Sequence, residues 1–373
     1  VSDKTTNRKE ELAVRLSCHD FRTETGAFGL TRQSLHETVR KLPEPIIHIR
    51  DEKLLGFKRI IVGAHSRALW RQLINATKIE HIIGVPYPRL VSVLGFFLGN
   101  IIHIAYVVPE PLYKRVYRDV EEWLYELERR EGISIEYFFG GESIPVRNCA
   151  GSLGFNSNVI DSARSELNSL LKESPYRSRM PFLDYIIVAT LDLFPTLTLR
   201  QLGHLVYAAR ARLEKELDKW TLSFLRYKFV NRHYRALSRK KVVGRMWVPR
   251  IVLGECYERL GFIAAGDCLE DVYVVAAATL GAANIVVSRE YIMATIGVQP
   301  KYRSEVINRI RDCVLKTMVT YKARVFPLPF ELYDPVRRVW SMEPVGYDLY
   351  GLLRRFRLVE EKGREERRKR GEG

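Results

Sequence analysis

Apolar positions along the chain switch between a period of two and a period near 3.6, and the order of the switches occurs twice. In the first half, Phe57–Gly63 (FKRIIVG) reads as a strand and Ser66–Thr77 as a short helix. Leu90–Leu98 and Ile101–Val108 read as two strands joined at Gly99-Asn100, a hairpin-turn dipeptide. Pro109-Glu110-Pro111 opens a helix over Leu112–Arg130, with Leu112, Val116, Val120, Trp123 and Leu127 on one face. Ile133–Phe139 closes as a strand. The order β-α-β-β-α-β is that of a ferredoxin-like unit.

The second half reads in the same order. Met246–Glu255 is predicted as a strand and Cys256–Ala265 as a short helix. Asp271–Ala278 and Ile285–Val298 carry strand material. A helix follows over Tyr302–Met318, and Tyr321–Leu328 closes. Pro111 and Pro300 are 189 residues apart, as are Phe57 and Met246, which argues for duplication. A helical region precedes each unit. Lys9–Cys18 and Leu30–Leu42 come before the first, with Ile46–Arg50 as a wing. Pro181–Leu193, Leu199–Trp220 and Leu222–Ser238 come before the second, where Thr196 or Thr198 can cap the middle helix. Leu35, Val39 and Leu42 align with Val230, Tyr234 and Leu237.

The expected class is α+β, with two winged helix-turn-helix domains each followed by a ferredoxin-like domain. The boundaries are a degenerate winged helix-turn-helix at 1–55 and a ferredoxin-like domain at 56–145. A linker holding a helix near Asp161–Glu173 spans 146–180. The second winged helix-turn-helix is 181–245, the second ferredoxin-like domain 246–335, and a basic tail 336–373. Dense charge from Arg354 onward predicts disorder or a solvated helix end there. One such sheet leaves a face to cover, so two in one chain are expected to cover each other as an intramolecular pseudo-dimer. Further self-association to a homodimer is left open.

Charge narrows the function. The 373 residues hold 60 Lys or Arg against 44 Asp or Glu, a formal +16, which favours a polyanionic partner. The five cysteines form no Cys-x-x-Cys pair, so neither a secreted disulfide scaffold nor a Cys-rich zinc site is expected. No signal peptide is expected from the polar stretch Val1–Glu11, and the hairpin at Gly99-Asn100 is expected to explain Leu90–Val108 without a membrane span. The expected location is cytoplasmic. High charge with only four Gln suggests a thermophile.

The strongest functional signal lies at Thr221–Arg250, which holds nine cations and no acid. Lys228, Arg232, Arg235 and Arg239 recur at helical spacing, opposite Val230, Tyr234 and Leu237. One face can bury while the other presents cations, as a recognition helix needs in a major groove. Asn231 is placed to read adenine, and Lys240, Lys241 and Arg245 to grip the backbone at the wing. The plain alternative is a solvated basic face, but such faces usually alternate in sign. In the first copy the matching positions are Gln33, Glu37, Arg40 and Glu44. Two carboxylates there oppose phosphate, leaving Arg32, Gln33 and Arg40 as weak contacts near Thr31, Ser34 and His36.

A helix-turn-helix followed by β-α-β-β-α-β, with the passages VVPEPLYKRV and IGVQPKYRSEV, resembles the Lrp/AsnC (feast/famine) family of prokaryotic transcription regulators. The resemblance covers most of the chain, twice. It implies binding of double-stranded DNA, pairing of ferredoxin-like units and a small-molecule effector, to be sought near Gly281. The tandem fusion, and an insertion near Ala209–Trp220, depart from the family.

Other signals are weaker. Ala150–Gly154 lacks the first Gly of a nucleophile elbow. Cys18, His19 and Asp20 are consecutive, so they point apart on a helix; Cys18 reads as a buried thiol. The His are scattered, and no phosphate-binding glycine motif occurs. No enzyme, metal or cofactor is expected. The rival readings are a non-sequence-specific nucleic-acid-binding scaffold or protein-interaction component and, third, an RNA binder using sheet aromatics such as Tyr137 and Phe139.

Overall fold

The computed structural model describes residues 2–42, 47–65, 85–97, 100–173, 181–216, 227–248, 258–334, 337, 339–343 and 348–357. Helix α1 is Ser2–Cys18 and α2 is Arg32–Arg40, joined through a single 3₁₀ turn at Thr25–Phe28. Strands β1 (Ile47–Ile49), β2 (Phe57–His65), β3 (Val91–Phe97) and β4 (Ile101–Pro109) lead to α3 (Tyr113–Glu131) and β5 (Ser134–Pro145). Helices α4 (Ser157–Lys172), α5 (Phe182–Leu193), α6 (Leu199–Glu216) and α7 (Tyr227–Arg239) follow, then β6 (Arg245–Trp247). The last part holds β7 (Glu258–Ala265), α8 (Leu269–Thr279), β8 (Asn284–Val287), β9 (Tyr291–Val298), α9 (Arg303–Ile310) and β10 (Val314–Val325). A small pair, β11 (Tyr333–Asp334) and β12 (Val339–Trp340), comes last.

The α+β class is as expected, and its main sheet curls into a closed antiparallel barrel. Strands β2 to β5 lie in the order β3-β4-β2-β5, and β7 to β10 in the equivalent order β8-β9-β7-β10. The 12-residue strands β5 and β10 join the two sets. The first part of β5 pairs with β2, and Glu142–Pro145 pairs with β8. The first part of β10 pairs with β7, and Thr320–Val325 pairs with β3. Each half therefore lends the end of its last strand to the other, a reciprocity that defines a pseudo-twofold axis within one chain.

The barrel interior is a packed core. Eight strands enclose a space that side chains can fill, and here Ile61, Phe97, Tyr137, Phe139, Ile263, Met293 and Met318 fill it. Outward residues of β2 and β4 meet Val116, Val120 and Leu124 of α3. Outward residues of β7 and β9 meet α8 and also Ala163, Leu167 and Leu170 of α4. One charge cluster is sealed inside: Arg59 Nε and Nη2 donate to Glu52 at 2.6 and 2.5 Å, and Nη1 donates to Ser92 at 2.6 Å. Arg59 holds Glu52 below the usual carboxylate range although burial opposes it. His103 meets the Tyr137 hydroxyl at 3.1 Å, and burial with Arg59 pushes it down to about 4, so it stays neutral.

The helical parts cross over. Leu16, Phe21, Leu35 and Val39 of the first region pack with Met246, Val248 and Leu280 from the second half. Val206, Val230, Tyr234 and Leu237 of the second share a core with Leu55, Phe57 and Val107 from the first. Between them β1 and β6 pair antiparallel, Ile47 opposite Trp247 and Ile49 opposite Arg245.

Several expectations are corrected. Residues 258–265 form a strand, not a helix: Leu260, Phe262 and Ala264 alternate onto the α8 side. Residues 269–279 form a helix, not a strand. Val272 to Thr279 are all buried, and a segment apolar all round carries no readable period. The helix predicted to Met318 ends at Ile310, because Val314 already belongs to β10. The strand predicted over Met246–Glu255 is β6 at its start, while 249–257 lie outside the described residues, as do Ser66–Thr77. The landmark at Phe57 therefore matches Glu258, not Met246. Residues 349–357 are helical with Leu349, Leu352 and Leu353 buried, so the tail starts in the core. Cys18 is joined to Cys149, and Cys268 to Cys313. The first link closes a span of 131 residues, worth about 5 kcal/mol by chain entropy. No helix among the described residues is long and apolar enough to cross a membrane.

Gly63 lets the Tyr137 ring lie against its own strand; a Cβ there would sit 2.1 Å from that ring. Gly63→Ala is expected to cost about 1–3 kcal/mol in chemical denaturation, and markedly less in a Tyr137→Ala background.

Candidate nucleic-acid interface

The second helical region is built to present α7. Helix α6 starts in a capping box: Thr198 Oγ1 accepts from Gln201 N at 3.2 Å, and Gln201 Oε1 accepts from Thr198 N at 2.9 Å. Val230, Tyr234 and Leu237 bury the inner side of α7. The other side turns Phe229, Arg232, Arg235, Ala236 and Arg239 to solvent, with Lys240 just beyond the helix end. Arg232, Arg235 and Arg239 have no carboxylate within ion-pair reach among the described residues. The helix closes with Lys241 at φ 59 and Val242 N donating to Leu237 O at 3.0 Å, the Schellman pattern without its usual Gly.

The remaining predicted contacts divide. Lys241 is half-buried, and its Nζ donates to Glu166 at 3.2 Å. Arg245 is buried, and its Nε donates to Cys18 O at 2.9 Å. Burial and the neighbouring Arg147 bring Arg245 down to about 10. The expected wing is thus turned inward as β6, and Arg245 is not placed to grip a backbone. Asn231 is half-buried, with Oδ1 enclosed and without a hydrogen-bond partner among the described residues. The side chain of Lys228 lies outside the described residues. On α2, Arg32, Gln33 and Arg40 are exposed, and Gln33 donates to Glu37 at 3.2 Å. His36 packs edge-on to Phe21, and His233 bonds Asp184 at 2.7 Å.

Sequence reasoning missed what fixes α7 in place. Asp20 is fully buried and accepts from three side-chain hydroxyls and a backbone amide. Tyr234 hydroxyl donates at 2.8 and 2.9 Å, Ser238 at 2.8 Å, Thr23 at 2.7 Å and Arg22 N at 3.0 Å. The remaining Arg22 donors reach Tyr234 Oη at 3.1 Å, Leu197 O at 2.6 Å and Pro195 O. Two residues of the first region therefore clamp the turn and the third helix of the second. Gly244, at φ 109, lies so close that a Cβ would come within 2.7 Å of the Asp20 carboxyl carbon. Its N–H donates to His48 Nε2 at 3.0 Å. Burial, with Arg22, Arg50 and Arg245 nearby, pushes His48 well down, so it is neutral and can accept.

Arg147, also buried, holds the other end. It donates to Glu166 Oε1 at 2.7 Å and to the Lys241 carbonyl at 3.2 Å, just past the C-terminus of α7 where a cation suits the helix dipole. Its Nη2 lies 3.8 Å from Asp51. No spacing rule could have found this cluster, because Asp20 and Tyr234 are 214 residues apart.

Tyr137 and Phe139 face the closed barrel interior, so no base can stack on them. Gly281 is itself tightly packed, a Cβ there meeting Gly297 O at 2.4 Å, so no effector lies against this residue. Space lies instead at the β5–β8 seam, a cavity of about 370 Å³ lined by Lys58, Tyr113, Gly140, Gly141, Glu142 and Arg289, among others. Asn148 caps the Ala150–Gly154 turn through Ala150 N and Ser152 O.

Asp20→Ala strands Arg22 and two hydroxyls in the interior; it is expected to cost about 3–5 kcal/mol in denaturant titration. Asp51 gives a pH signature. Burial raises its carboxyl to about 6 against the pull of Leu54 N–H and Arg147, with Glu173 and Glu52 adding to the rise. The folded chain keeps this proton up to about pH 6 while the unfolded chain releases it near 3.8, so stability falls as pH rises through that window. Asp51→Asn should match the parent near pH 4 and exceed it by up to about 3 kcal/mol above pH 6, read from denaturation midpoints across pH.

Comparison with family models, with curated proteins and with solved structures gives no match to any of them.

Proposed function

We propose that the chain is a DNA-binding transcription regulator, an intramolecular pseudo-dimer of two winged helix-turn-helix units and two ferredoxin-like units. The equivalent strand orders and the reciprocal β5 and β10 exchange support the pseudo-dimer. The single observation that carries the DNA reading is the solvent face of α7, where Arg232, Arg235 and Arg239 stand with no carboxylate partner among the described residues. A helix face of this kind meets phosphates and guanine edges in a major groove. The rigid seat beneath it lowers the ordering cost of binding. The covered sheet faces weigh against RNA recognition by stacked bases. The role proposed is binding, not catalysis.

Fluorescence anisotropy with duplex DNA across a salt series tests the reading. The wild type is expected to give a log–log slope of about −3 or steeper. Arg232→Ala/Arg235→Ala should flatten the slope by about two units. A regulator prefers its own site over scrambled duplex by roughly 10³-fold or more, whereas a scaffold shows the salt slope alone. Unchanged binding by the double variant contradicts the reading.

A further inference from the structure

We infer that one chain reads a single, non-palindromic DNA half-site through α7, although its fold is pseudo-twofold symmetric. This rests on the DNA-binding reading above and asks what shape of site follows from it.

The axis relates α7 to α2, and the cationic position Arg232 corresponds to Glu37. Gln33, at the position of Lys228, is already bonded to that Glu37 carboxylate at 3.2 Å. Helix α2 thus offers an anion where its counterpart offers a guanidinium; although Arg32 and Arg40 are also exposed on it, a duplex laid against both helices would be held more weakly by α2 than by α7.

The inner sides of the two helices are wedged against the same two residues. The His36 and Phe21 rings lie 5.3 Å apart, and the Arg22 guanidinium sits 4.3 Å from the Phe21 ring and 5.6 Å from the Tyr234 ring. Three short contacts in series connect the middle of α2 to the middle of α7. Recognition helices that enter successive major grooves stand one turn apart, about 34 Å. The wedge cannot open cheaply: Phe21, Arg22 and Tyr234 are buried, and the Cys18–Cys149 link fixes the end of α1 beside it. With α7 in a groove, α2 stays beside the intervening backbone. A palindromic site then requires a second chain.

The test selects binding sites from a random duplex library with the full chain and maps the winners by hydroxyl-radical footprinting. The inference expects one contiguous motif without an inverted repeat, protected within about one turn of duplex, roughly 10 bp. Arg232→Ala/Arg235→Ala should weaken binding to that motif by about 100-fold or more, and Arg32→Ala/Arg40→Ala by less than about threefold. An inverted repeat with two protected grooves per chain, weakened by both variants, would overturn the inference while leaving the regulator reading intact. Failure to enrich any motif would overturn both, and the blank footprint distinguishes that result from the double one.

Discussion

The Asp20 carboxylate is the contact on which the arrangement depends. A buried charge survives only when hydrogen bonds replace its hydration, and here Tyr234, Ser238, Thr23 and the Arg22 amide do so. Because the donors come from both helical regions, satisfying one charge fixes the two regions against each other. Gly244 is required by the same contact, since any side chain there would collide with Asp20. Neutral His48 then secures the Gly244 amide from the first half. A chain of local demands thus joins α1, β1, β6 and α7 into one block.

The barrel meets a parallel demand by exchange. Each set of four strands has an inner face that water would otherwise meet, and closing two sets on each other buries both. Strands β5 and β10 are long enough to belong to both sets, so neither half can close its sheet without the other. Crossing of the helical regions extends the same dependence outward, each packing on strands of the opposite half. A recognition surface mounted on such a frame keeps its geometry, because α7 is held at its middle by Asp20 and past its end by Arg147.

Much of this was legible where one face of an element is solvated. The two strands around Asn100, helix α3 with its Val116–Val120 stripe, and the inner residues Val230, Tyr234 and Leu237 of α7 were all readable from period alone. Period failed where both faces are buried. The run VYVVAAAT has the β-branched residues of a strand yet forms the centre of α8, and ERLGFIAA has a short helix's composition yet forms β7. For the candidate site, sequence supplied the exposed Arg232, Arg235 and Arg239 but not the inward turn of Arg245, which depends on β6 pairing with a strand some 200 residues earlier. Asp20, Arg22 and Arg147 carry no local signal. The two disulfides join cysteines 131 and 45 residues apart, and an odd count without a Cys-x-x-Cys pair does not disclose them.

The central claim is that duplex DNA seats on the outer face of α7 while the frame beneath it holds still. Amide hydrogen exchange of the full chain, with and without a saturating specific duplex, tests it directly. The account predicts new protection concentrated in residues 227–241, with the barrel strands unchanged. Protection centred on the barrel or on α3, or none at all under conditions where DNA is bound, would contradict it.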